Sequence, residues 1–215
     1  MIRMASWSIS VDEPLMLLVA LYVRDVAGLR PPLEYDVPPL DPPVLRESGG
    51  TDDDGSNQWA VWWQELLRGG GMWPAYADPA KMSELREDPD IQRLFYWPGR
   101  YAPPDFPSLH SSPELHRDVR RHHQAALAWA EARKLEFFAL TTARGHRRIE
   151  WEVVKLEERH IGRTVRPFNL DLRVLPLAEP WAWRLAPDRA LMSLSMCRDR
   201  AAYRSWLTAV VRELA

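Results

Sequence analysis

Cysteine is almost absent: Cys197 is the only one in 215 residues. A lone thiol excludes an intramolecular disulfide and any zinc or iron–sulfur centre built on several thiolates. Lysine is nearly as scarce, with Lys81, Lys134 and Lys155 standing among 28 basic residues, and this reads as the codon habit of a GC-rich, bacterial genome. Long apolar runs are missing too. Residues 14–23 form a ten-residue stretch that Arg24 and Asp25 end, and this is too short to span a bilayer. It follows Asp12 and Glu13 rather than a basic segment, so it reads as a buried helix and not a signal peptide. No membrane insertion is expected, and a cytoplasmic location follows as an expectation. Internal repeats, a P-loop, G-x-G-x-x-G, H-E-x-x-H and G-x-S-x-G are all missing. Phosphate-cradling and zinc-protease chemistries of those kinds therefore have no support, and no cofactor is expected.

What the chain does have is a division of charge. Residues 1–110 carry 9 Lys+Arg against 17 Asp+Glu, and residues 111–215 carry 19 against 13, so a formal total of −2 hides a polar molecule. Eleven tryptophans and nineteen prolines accompany it. A chain of this length buries roughly 70% of its unfolded surface, enough for a core without staples. The expected organisation is an acidic, Trp- and Pro-rich helical region over 1–110 and a basic α+β region over 111–215, with a single domain over 1–215 as the alternative. The proline-rich stretch near 97–112, where the charge changes sign, marks the boundary.

Ser10 and Glu13 form a capping-box pattern before Val11, Leu15, Leu18, Tyr22 and Val26, which predicts a first helix ended by Gly28. Six prolines between 31 and 43 predict extended straps. Trp59, Trp62, Trp63, Leu66 and Leu67 recur at helical spacing over 56–68. Asp78-Pro79 and Asp88-Pro89 each resemble a helix start. The longest helix is predicted from about Ser112 to Leu140, and another from Gly145 to Gly162. The period then changes to two: Phe168, Leu170, Leu172 and Val174, then Trp181, Trp183 and Leu185, then Met192, Leu194 and Met196 predict three strands. Asp199 caps a last helix. The fold class expected is α+β, with a mainly helical N-terminal two-thirds and a small C-terminal antiparallel β-meander closed by a terminal helix.

Three sets of residues are candidates for function. Trp59, Trp62, Trp63 and Leu66 form a wide apolar face on a short helix, and tryptophan is enriched at interface hot spots. They are the expected partner-binding surface. Arg117, Arg120, Arg121, Arg147 and Arg148 lie in a histidine-rich basic stretch suited to phosphate, because the guanidinium donates two parallel hydrogen bonds. Glu114, Asp118 and His122 recur every four residues, a mixed carboxylate–imidazole spacing compatible with a metal ion. Cys197 shares a predicted strand face with Ser193 and Ser195 and reads as a passive small residue. The function expected is a non-catalytic interaction or assembly component, acting through an exposed Trp-rich face and opposed acidic and basic surfaces, with a protein partner or self-association. A nucleic-acid-associated protein is the alternative, and a metal-dependent enzyme the third.

Overall fold

The computed structural model describes residues 7–32, 36–47, 53–69, 103, 105–142 and 144–215. The expected helix starts at Asp78 and Asp88 lie outside the described residues. The elements are β1 (Trp7–Asp12), α1 (Leu15–Ala27), α2 (Asp53–Gly69), α3 (Pro113–Thr142), α4 (Arg144–Ile161), β2 (Phe168–Leu175), β3 (Ala182–Ala186), β4 (Arg189–Ser193), α5 (Leu194–Arg198) and α6 (Arg200–Leu214), with a short 3₁₀ turn at Pro107–Leu109. This is an α+β layout, with helices mostly from the N-terminus to the middle and strands mostly C-terminal. No described helix is long and apolar enough to cross a membrane.

The chain packs as two compact units. The first comprises Met1–Pro14, Pro38–Pro43 and Ala130–Ala215; the second comprises Leu15–Val37 and Val44–Trp129. Each draws on both the acidic and the basic stretch of sequence, so the charge division softens. The first unit has 17 Lys+Arg against 14 Asp+Glu, and the second 11 against 16.

The first unit is built on a four-stranded sheet of order β1-β2-β4-β3. Only β3 and β4 pair antiparallel, across the turn at Pro187 and Asp188; β1 with β2, and β2 with β4, run parallel. The sheet is thus a mixed one rather than an antiparallel meander, because β2 lies parallel to β4 instead of beside β3, and an N-terminal strand joins on its other edge. In β1, Trp7, Ile9 and Val11 alternate with Ser8, Ser10 and Asp12, and they pair in register with Phe168, Leu170 and Leu172. Trp7 stacks on Phe168 with ring centroids 6.2 Å apart, and Ser8 Oγ donates to Asn169 Oδ1 at 2.7 Å. Ser10 is therefore a strand residue and not a helix cap, and α1 begins only at Leu15.

Helices α4 and α6 cover one face of this sheet. Ile149, Val153 and Val154 meet Leu170, Leu172 and Val174, together with Tyr203, Leu207, Val210 and Val211. The predicted third strand stops at Ser193, whose hydroxyl accepts from Met196 N at 3.2 Å and caps α5, so Leu194 and Met196 are helical. Asp199 Oδ1 accepts from Ala201 N and Ala202 N, both at 3.0 Å, as the cap expected for α6. One proline strap is pinned to the β2–β3 connection. Asp41 N donates to Pro176 O and Ala178 N to Pro39 O, each at 2.9 Å, beside a Leu40–Leu177 bridge.

In the second unit α1 is buried on nearly all sides, from Leu17 through Leu21 and at Val23. Helix α2 presents its tryptophan stripe inward, and Gln58 Oε1 accepts from Leu115 N at 3.0 Å, satisfying a donor in the first turn of α3. Gly28 ends α1 at φ +66°, a left-handed conformation that favours glycine. Its missing side chain leaves room for Arg46: a Cβ there would come within 2.0 Å of Arg46 Nε. Gly162 ends α4 at φ +69° with no atom within 4 Å of the corresponding position. Alanine at either site pays the left-handed penalty of about 1–2 kcal/mol. Gly28→Ala displaces only the far end of the exposed Arg46 side chain, so the two variants are expected to melt at similar temperatures in parallel thermal scans. A Gly28→Ala protein melting several degrees below Gly162→Ala would show that the Arg46 contact contributes.

Candidate functional site

The expected partner face is not at the surface. Trp59, Trp62, Trp63 and Leu66 are each at most 2% exposed. Trp59 stacks on Trp63 at 5.2 Å, its Nε1 donates to Ala20 O at 2.7 Å, and Arg24 lies over its ring at 5.9 Å. A wide apolar stripe next to a helix that is apolar from Leu15 to Val23 is most stable buried against it. These residues form a core, and a docking surface has to be sought elsewhere.

The arginines of the nucleic-acid alternative do not share one unit. Arg117, Arg120 and Arg121 belong to the second unit and Arg148 to the first, while the Arg147 side chain lies outside the described residues. Arg117 pairs with Glu114 at 2.5 Å, Arg121 with Glu47 at 2.7 Å and Arg148 with Glu152 at 2.7 Å; Arg120 is exposed. The spacing of Glu114, Asp118 and His122 does not make a metal centre either. Glu114 is turned to Arg117, and His122 is buried with Nδ1 4.0 Å from Glu47 Oε1. Burial pushes the Asp118 carboxyl up, partly offset by His122 and by Arg117 and Arg121. Among the described residues no three His, Cys, Asp or Glu side chains come together as metal ligands. Three further histidines have structural partners. His123 lies buried with its ring 4.9 Å from Phe106, and burial pushes it down toward the neutral form. His110 and His116 both direct Nε2 to Asp105 O, at 3.1 and 2.7 Å.

The strongest surface feature is on α4. Its inward residues Ile149, Glu150, Val153, Val154 and Glu157 leave Trp151, Lys155, Glu158 and Gly162 as an outward row at helical spacing. With Glu152, Arg159, Arg163 and Thr164 they line an open groove of about 550 Å³. Trp151 is 54% exposed at one end. Around it the charges are tied down. Glu152 accepts from Arg148 Nε at 2.7 Å and Arg204 Nη2 at 2.6 Å. These bonds, Arg204's first, hold its carboxyl below the usual range. Lys155 pairs with Glu158 at 2.6 Å. Arg159 and Arg163 bond backbone carbonyls instead: Arg159 Nε to Lys155 O at 3.2 Å, and Arg163 to Thr164 O and Ala215 O, both at 3.1 Å. Neither is ion-paired among the described residues. Lys155, Arg159 and Arg163 outnumber Glu152 and Glu158 in the lining, and Arg148 and Arg204 at its edge add to the excess of positive charge.

Trp151 and Arg163 have no place in any motif, and nothing in the sequence singles them out. Ile149, Trp151 and Val153 also alternate, which leaves a strand as an alternative to the expected helix near its start. The signal available was the row at 151, 155, 158 and 162, mixed in polarity beside a cleanly apolar one.

Cys197 is 1% exposed, and its thiol is pushed up to about 12, first by burial and then by Glu150. A thiol held protonated in a core is inert as a nucleophile. Compared with models of known protein families, with curated proteins and with solved structures, the chain matches none. The class established is an α+β protein with a mixed four-stranded sheet, and its function rests on its own residues.

Proposed function

We propose that the protein is an interaction component that docks an acidic segment of a protein partner on the outer groove of α4, with an apolar side chain of that segment seated on Trp151. The observation that carries this reading is the half-exposed indole set among cations that exceed the local carboxylates. Hot spots take this form: a large rigid ring that loses water on contact, within a polar rim that fixes orientation. The Glu152 and Glu158 pairs hold the rim in place, and Arg159 and Arg163 supply the unpaired charge that selects an acidic partner. A nucleic-acid strand is less well served. It needs a track of cations with several stacking platforms, whereas this groove offers one ring, and the chain has a pI near 6.3.

Fluorescence anisotropy with a short labelled Asp/Glu-rich peptide bearing one leucine or phenylalanine tests the reading. Binding at low salt that weakens as salt rises is expected. Trp151→Ala should lose roughly 30-fold in affinity, with stability within about 0.5 kcal/mol of the parent because the ring is half in water already. Arg163→Gln should weaken binding as well. Absence of binding across a peptide series at low salt, equal affinity of the Trp151→Ala protein, or tighter binding of a single-stranded oligonucleotide would each overturn it.

A further inference from the structure

On the sheet face opposite α4 and α6, β2 and β4 bring Asp171, Arg173 and Arg189 together, with Asp171 directly opposite Arg189 in the ladder. Arg173 is 2% exposed. Its Nε stands 3.3 Å from Asp171 Oδ2, and Arg189 Nε stands 3.7 Å from the same oxygen. The Asp171 carboxylate thus faces two guanidiniums. Both terminal nitrogens of Arg173 are buried with no hydrogen-bond partner among the described residues, and Arg189 Nε is in the same position. Of the polar groups on β1, Asp12 adds a second negative charge that acts on Arg173, without bonding its terminal nitrogens. Ser10 Oγ donates to Leu170 O at 3.3 Å, and Asp12, opposite Arg173 in register, accepts from Glu13 N at 2.8 Å.

A buried guanidinium with unmet donors is among the more unfavourable groups a fold can retain, and an apolar side chain of similar volume in its place is often neutral or stabilising. The two terminal nitrogens carry four N–H donors in a planar fork, the geometry that receives two oxygens of one carboxylate or phosphate. We infer that Arg173 and Arg189 form a binding site for an oxyanion that presents two oxygens to the Arg173 fork. Asp171 is the positioning residue, holding Nε so that the terminal nitrogens stay aligned. Asp171 and Arg189, with side chains 31% and 26% exposed, form the open rim of the site. The site lies within the first unit and uses none of the groove residues on α4.

Thermal melting of the full chain at fixed ionic strength, with chloride exchanged for inorganic phosphate in one arm and for acetate in the other, tests this. A hundredfold excess over Kd should raise Tm by about 5 °C in the arm whose anion fits. Arg173→Met should abolish the rise. Arg173→Lys keeps the charge without the fork and should lose most of it, which keeps the test informative should the methionine variant fold poorly. Arg189→Gln should weaken the response at least several-fold in apparent Kd. No rise over chloride in either arm for the parent protein, or an equal rise in the Arg173→Lys protein, overturns the site.

Discussion

Replacing Trp59 by alanine is expected to destabilise the protein by about 3–5 kcal/mol, the range for deleting a fully buried aromatic side chain. The indole is 0% exposed and its ring is stacked on Trp63. It also donates to a backbone carbonyl of α1 and lies under the Arg24 guanidinium, so the second unit loses packing, a hydrogen bond and a cation–π contact at once. Phenylalanine at the same position keeps most of the ring and loses the donor, and should cost much less. Urea unfolding followed by far-UV circular dichroism measures both. A Trp59→Ala protein within 1 kcal/mol of the parent would show that the stripe is not a core. The experiment also separates two readings of the tryptophans: loss of stability is expected from Trp59→Ala, and loss of binding without loss of stability from Trp151→Ala.

The second large effect is alkaline. Cys197 and Tyr203 are buried in the first unit close to Glu150, and Tyr203 donates its hydroxyl proton to Glu150 Oε1 at 2.9 Å. Burial, with the Glu150 carboxylate adding to it, pushes both groups up, Cys197 from its ordinary 9.0 to about 12. An acid whose folded pKa is raised binds its proton more tightly in the folded state. The stability it contributes is complete below the unfolded pKa and declines as pH rises through the gap. The decline should begin near pH 9 and continue toward 12, on the order of 1.4 kcal/mol per pH unit for each proton. Cys197→Ala should flatten the slope between pH 9 and 10, where the thiol alone contributes. Tyr203→Phe should cost about 1.5–3 kcal/mol at neutral pH, the worth of a hydrogen bond to a charged group, and should remove the part of the slope that starts near pH 10. Denaturant titrations at stepped pH read both, and an unchanged slope in Cys197→Ala would sink the assignment.

Much of the fold was legible in local patterns. Helices α2, α3, α4 and α6 and strands β2 and β3 all fall close to where their spacing puts them, because each is specified by its own periodicity and caps, whereas β4 lies earlier than Met192, Leu194 and Met196 suggest. Gly28, Gly162 and Asp199 end or begin their helices as their chemistry suggests. Strand β1 was not legible. Six residues with a polar alternate row carry little signal alone, and Ser10 with Glu13 imitates a helix start. The candidate site was legible less well again. Periodicity tells which residues share a face but not which of two faces meets solvent. The apolar α2 stripe had to be buried once α1 proved buried on nearly all sides, whereas the mixed α4 row was free to remain outside. The carboxylate pairs that neutralise Arg117, Arg121 and Arg148 include a contact to Glu47, far away in sequence, that no spacing rule reveals.

The parallel pairing of β1 with β2 has a consequence for how the protein is made. Ser8 and its partner Asn169 are separated by 161 residues. At the usual pace of synthesis β1 waits about 8–30 s before β2 exists. Throughout that time Trp7, Ile9 and Val11 are without the ladder that will shelter them. The sheet is then closed by a segment made early meeting one made 161 residues later, so the first unit cannot complete its fold until the later segment has emerged. The serines and aspartate that alternate along β1 have a task in that interval: they give the waiting strand a hydrophilic side and make it a poorer template for joining a neighbouring chain.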